Sequence, residues 1–289
     1  MNFAVLITTS GHENIEKAVK SFSSYNVPIY IVTPNNDLKF RYDGSRFKRI
    51  KVIHDEGKGK PQALNIAFKS IPEEIVLLTD GDVWTDKNAL KEIINLFSHK
   101  TLPQKIGLVT GKVISLNDKN TMLGFWSHFL VFAANSMREE KNKKGEYFEG
   151  TGYLMAVRKS LIGKIPEDIF SEDGYISYKI YTNGYKIRYT DKAQVYVKYP
   201  TTISDWLKQK RRSAGGYTQK YIVVKTRSFK KEAIGGVKLF FKYPQNLKEY
   251  YYLVCLFLIR IYLWLVIIID IRIRKLKFKD VWVRIESTK

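Results

Sequence analysis

EIVLLTDGDVWTDKNAL, residues 74–90, decides how the rest of the chain is read. Ile75 to Leu78 are four consecutive β-branched or leucine residues, the composition of a strand buried on both faces. The run stops in Thr79-Asp80-Gly81-Asp82, where two carboxylates flank a glycine. In an open α/β sheet the ligand crevice lies beyond the carboxyl ends of the strands. Two acids at such an end repel unless a cation neutralises them. Oxygen-only ligands suit Mg²⁺ or Mn²⁺, which commonly bridge to substrate phosphates. An isolated Asp-Gly-Asp also reads as a plain turn with solvated acids. Its neighbours must decide between the two.

Upstream, FAVLITTS (3–10) reads as a first buried strand ending in hydroxyl residues. Ile15, Val19 and Phe22 then recur at helical spacing. IYIVT (29–33) is a second strand, running into the turn-rich Pro34-Asn35-Asn36-Asp37. Arg49–His54 is a third, and Lys87–Phe97 reads as the helix after the fourth. Strands alternating with helices predict an α/β, doubly wound and mostly parallel sheet. Right-handed crossovers place the strand ends along one edge. In HDEGKGKPQALNIAF, Gly57 and Gly59 permit close backbone approach, Lys58 and Lys60 supply charge, and Pro61 opens a helix. These are the parts of a phosphate cradle, without Walker or GxGxxG spacing.

Net charge is +21, which asks for an anionic partner: nucleic acid, phospholipid headgroups or a phosphorylated substrate. Hydrophobic residues make up 45%, ample for a core and against disorder. The single cysteine, Cys255, excludes an internal disulfide and every multi-cysteine zinc site. Histidines 12, 54, 99 and 128 have no metal-ligand spacing. No basic leader precedes Phe3–Ile7, so no signal peptide is expected. Residues 121–137 are too short to span a bilayer and suggest a core or acceptor-groove helix.

The C-terminal third changes character. Trp206–Lys248 carries twelve Lys or Arg and one acid, Glu232. Tyr250–Ile271 is apolar apart from Arg260 and Asp270, and RIRKLKFK follows with five basic residues. At about 1.5 Å per residue the apolar run is long enough for a bilayer core. Basic clusters on both flanks also suit a helix lying in, or re-entering, the cytoplasmic interface. A buried core helix is the alternative. The tail DVWVRIESTK alternates like a strand.

The succession of strand, Asn/Asp turn, GKGKPQALN loop and strand-Asp-Gly-Asp resembles the donor half of inverting family-2 glycosyltransferases, which have the GT-A fold. FEGTGYLMAVRKS (148–160) resembles their acceptor-side glycine segment, and SEDGYIS (171–177) their Glu-Asp catalytic motif. Gln209-Lys210-Arg211-Arg212-Ser213 resembles Q-x-x-R-W, with Ser213 where tryptophan is usual. The resemblance covers roughly residues 1–220. It implies a GT-A catalytic domain over 1–220, and the basic and apolar composition of 221–289 suggests a membrane-associating region.

It also implies roles. Asp173 takes the acceptor hydroxyl proton, with Glu172 tuning the local field. Asp82, with Asp80 nearby, holds Mg²⁺ or Mn²⁺ against the leaving diphosphate. Thr8, Thr9, Asn35, Asp37, Lys60, Asp80, Gln209 and Arg212 contact the nucleotide-sugar donor; Asn35 and Asp37 replace the family's paired aspartates. Gly150, Thr151 and Gly152 face the acceptor. The implied activity is hexosyl transfer to a lipid-linked or glycan acceptor on an anionic membrane surface, at the cytoplasmic face. Two rivals stand: a nucleotidyltransferase using the same acids, for which TTSGHEN is a poor triphosphate loop, and a noncatalytic basic protein. No nucleic-acid module spacing appears, so no nucleic acid is expected.

Overall fold

Four strands rich in β-branched residues and leucine pair in parallel: β1 (Phe3–Thr8), β2 (Ile29–Thr33), β3 (Ile50–His54) and β4 (Ile75–Asp80). Every residue of β1 and β2 is buried, and β4 is buried up to Thr79. The register puts Thr8 opposite Val32 and Asp80, and Thr33 opposite His54. All four strands therefore end on one edge, with Thr8 and Asp80 as immediate neighbours. Helices α1 (Glu16–Phe22), α2 (Asn36–Tyr42) and α3 (Lys60–Ser70) intervene. β5 (Trp84–Thr85) and α4 (Ala89–Ser98) follow; Ala89, Leu90, Ile93 and Phe97 form the buried face of α4.

The computed structural model describes residues 2–10, 15–42, 49–98, 105–169, 171–215, 221, 239–269 and 288. The remaining elements are β6 (Ile106–Ser115), α5 (Met122–Lys144), β7 (Met155–Arg158), α6 (Glu172–Thr182), β8 (Lys186–Val197), α7 (Ile203–Gly215) and α8 (Leu247–Ile268). The sheet order is β3-β2-β1-β4-β7-β6-β8-β5. Parallel pairing thus holds for the N-terminal half. β4–β7, β6–β7 and β5–β8 are antiparallel, so the whole sheet is mixed.

Two compact units emerge. The first comprises Met1–Ile114, Arg138–Glu167 and Glu172–Val197, and contains most of the sheet. The second comprises Ser115–Met137, Asp168–Ser171 and Lys198–Lys289. Its core is aromatic: Phe125, Trp126 and Phe129 of α5 and Trp206 of α7 pack with Leu253, Leu256, Leu263 and Ile267 of α8. Asn246 caps α8 by accepting the Glu249 N–H at 3.0 Å, while Glu249 accepts the Gln245 N–H at 2.8 Å. That cap starts the helix at Leu247, three residues before the apolar run. The tail from Asp280, apart from Thr288, lies outside the described residues.

Candidate active site

The site grows out of the β4 end. Asp80 Oδ1 accepts the Thr8 hydroxyl at 2.9 Å and the Lys60 ammonium at 2.6 Å. Gly81 N–H donates to Thr8 O at 2.9 Å. A Cβ on Gly81 would sit 2.8 Å from Thr9 Cβ and 2.9 Å from Ile15 Cγ2, so the turn between the two acids closes only with glycine. Asp82 lies past that turn and is exposed.

Lys60 opens α3. It is placed by a loop in which Gly57 and Gly59 hold φ of 67° and 107°. Besides Asp80, Lys60 Nζ contacts Glu172 Oε1 at 3.1 Å. Burial disfavours the ammonium, but the Asp80 and Glu172 carboxylates outweigh it and raise the lysine pKa. All three side chains are less than a third exposed. One cation thus ties the acid at the β4 end to the Glu-Asp pair at the start of α6.

Asp173, beside Glu172, is held by backbone. Oδ2 accepts the Gly152 N–H at 3.3 Å and Oδ1 the Gly174 N–H at 2.8 Å. The glycine segment is fastened to the same helix: Gly150 N–H donates to Ser177 Oγ at 3.0 Å, and Ser177 donates to Asp173 O at 2.7 Å. Thr151 N–H donates to Thr110 Oγ1 at 3.0 Å. A Cβ on Gly152 would lie 3.5 Å from Lys60 Nζ and 3.6 Å from Asp173 Oδ2. The first unit therefore brings together Thr8, Lys60, Asp80, Gly150, Thr151, Gly152, Glu172 and Asp173.

Other expected residues stand differently. Asn35 Oδ1 accepts the Asp37 N–H at 2.8 Å, so Asn35 caps α2 and Asp37 lies exposed in its first turn. Gln209 is buried on α7, and Arg212 belongs to the same helix; both fall in the second unit. Three residues escaped the sequence reading. Ser177 and Thr110 position the glycine segment; Ser177 follows Asp173 by one helical turn, which is its only sequence signal. Asp55, at the end of β3, is 4% exposed and accepts the Gly57 N–H at 2.6 Å. Burial pushes its carboxyl pKa up, only partly countered by that N–H.

Among the described residues no three His, Cys, Asp or Glu side chains gather as a metal cage. The donor set is instead an exposed Asp82 beside an Asp80 already engaged by Lys60. That suits a hard divalent cation taking one or two carboxylates and completing its shell from phosphate and water.

The mixed sheet, with acids at the β4 end and on α6, defines a GT-A glycosyltransferase fold. The chain belongs to glycosyl transferase family group 2, which matches residues 75–274. It is 28% identical over 193 residues to a poly-beta-1,6-N-acetyl-D-glucosamine synthase of Staphylococcus aureus, covering 65% of this chain and 43% of that one. The chain thus spans less than half the length of this relative. Among solved structures it is similar to the mannosyltransferase PcManGT of Pyrobaculum calidifontis in complex with GDP-Man and Mn²⁺ (TM-score 0.54, 14% identity, 87% and 78% coverage). It is also similar to S. aureus TarS 1–349 in complex with UDP-GlcNAc (TM-score 0.50, 15% identity, 82% and 70% coverage).

Proposed function

We propose that the chain transfers a hexosyl group, with inversion, from a nucleoside diphosphate sugar to a lipid-linked or glycan acceptor at the cytoplasmic face of a membrane. Residues 1–220 form the catalytic domain and 221–289 the membrane-associating region. The observation carrying this reading is Lys60, whose Nζ touches Asp80 and Glu172 while Asp173 sits beside them under the Gly152 N–H. Donor-side acid, phosphate-compatible cation and candidate base meet at one point.

The chemistry follows from those groups. Asp173 Oδ2 lies next to the glycine segment and takes the proton of an acceptor hydroxyl as it attacks the sugar. Gly152 keeps a side chain out of the space beside Lys60 Nζ and Asp173 Oδ2, whereas Gly150 packs against Leu108 and Met155. Glu172, held by Lys60, shapes the local field. Lys60 offers positive charge to the departing diphosphate. Mg²⁺ or Mn²⁺ held at Asp82, with Asp80 nearby, supplies Lewis-acid stabilisation of that leaving group when bound. Thr8, Thr9, Asn35 and Asp37 line the nucleoside side. The named ligands of the two similar structures, GDP-Man with Mn²⁺ and UDP-GlcNAc, support a sugar nucleotide without choosing the base.

Calorimetric titration with UDP, GDP and their sugars, with and without Mn²⁺, tests this directly. One nucleoside diphosphate sugar should bind in a Mn²⁺-dependent manner. Asp82→Asn should abolish the metal-dependent part, because the amide keeps the shape and removes the charge. Undiminished Mn²⁺-dependent affinity in that variant would falsify the assignment of Asp82.

A further inference from the structure

Helix α8 has two apolar faces, and only one is covered. Leu253, Leu256, Leu263 and Ile267 are buried against α5 and α7. On the other side Leu247, Tyr251, Val254, Leu258, Ile261, Tyr262, Leu265, Ile268 and Ile269 are exposed. Their spacing of three and four residues makes one stripe. From Tyr251 to Ile269 every exposed residue is apolar, and Arg260 falls outside the stripe, half-buried. Leu253, Leu256, Leu263 and Ile267 are the buried residues of α8, so the core accounts for one of its faces and not the other. An apolar stripe of this length on a soluble surface marks an interaction site.

We infer that α8 lies in the plane of an anionic membrane, its exposed stripe sunk into the acyl boundary, and does not cross the bilayer. This rests on the membrane-associating reading of residues 221–289. Two observations select lipid and this orientation. First, the covered face is docked from end to end. Trp126 Nε1 donates to Tyr252 O at 2.6 Å near the start, and Ile267 is buried at the finish. A spanning α8 would draw its partner α7, with Asp205, Lys208 and Arg211, into hydrocarbon, where such charges are strongly disfavoured. An in-plane helix leaves them at headgroup level. Second, the charge is complementary. Lys242 and Lys248 are exposed at the start of the helix, next to exposed Phe241 and Leu247. Basic residues flanking an apolar face recognise anionic headgroups.

Depth measurement on the full chain tests this. In a Cys255→Ser background, single cysteines at Val254, Leu258, Ile261, Leu265 and Ile268 would carry an environment-sensitive fluorophore. The protein is bound to phosphatidylcholine vesicles with about 30% phosphatidylglycerol and quenched by lipids labelled at different depths. The expected result is one shallow depth for all five positions. A profile deepest at Ile261 and shallower towards both ends means a spanning helix and overturns the inference. Absence of lipid quenching, with or without self-association by light scattering, overturns it in favour of a protein partner or a second copy. A Leu258→Lys, Leu265→Lys double variant should lower vesicle partitioning roughly tenfold or more while leaving nucleotide-sugar titration unchanged. Equal shallow depths together with a blank donor titration of the unmodified protein would remove the transferase reading and leave the helix assignment standing.

Discussion

At the scale of single residues, Lys60 and Asp173 carry the argument. Lys60 is the one described cation touching both Asp80 and Glu172. Lys60→Met leaves two partly buried carboxylates without it and should destabilise the fold by about 1–3 kcal/mol in urea titrations at neutral pH. In the unmodified protein the Asp80 and Glu172 carboxylates raise the Lys60 pKa. Its stabilisation is complete below the ordinary lysine range and is lost as pH climbs through the raised value. Asp173→Asn keeps an acceptor for the Gly152 N–H and should leave donor affinity nearly intact. Turnover should fall roughly 10²–10⁴-fold, since only the proton-transfer step is touched. If single-turnover rates stay normal and donor affinity collapses, Asp173 is a binding residue instead.

At the scale of elements, the β3–α3 loop shows what sequence could and could not display. GKGKP announced a tight, basic turn before a helix, and the positive φ angles of Gly57 and Gly59 bear that out. The burial of Asp55 was not legible, because it depends on β2 pairing with β3: Asp55 N–H donates to Thr33 O at 3.1 Å. With its pKa raised above the unfolded value of about 3.9, the folded state binds the extra proton across that window. Its contribution therefore makes stability fall as pH rises through the carboxylate range. Asp55→Asn can still accept from Gly57 N–H and should flatten that part of the pH–stability curve. An unchanged slope in pH-dependent denaturant melts would show that Asp55 titrates normally.

At the scale of the whole molecule, the two units divide the labour. Every carboxylate proposed for chemistry lies in the first unit, whereas α8 completes the aromatic core of the second. A chain ending at Lys248 uncovers Phe125, Trp126, Phe129 and Trp206 and removes four buried side chains, each worth about 1.5–3 kcal/mol. It should bind a hydrophobic dye strongly, lose vesicle binding and retain nucleotide-sugar affinity. Loss of donor affinity along with cooperative unfolding would tie α8 to the stability of the catalytic domain.

Sequence alone determined the parallel half of the sheet, since unbroken β-branched runs ending in small or acidic residues suit strands buried on both faces. It also pointed to the family and to most of the residues that gather at the β4 end, through motifs whose order survives without coordinates. β6, β7 and β8 went unread. Their alternation in GLVTGKVIS and IRYTDKAQVYV is a weaker signal than a solid apolar run, and their order in the sheet is set by pairing partners distant in the chain. Tertiary structure alone joined Lys60 to Asp80 and to Glu172, more than a hundred residues further on, because a shared cation is a matter of distance and not of spacing. It alone divided the all-apolar α8 into a docked face and a bare one, for composition cannot say which side of a helix already has a partner.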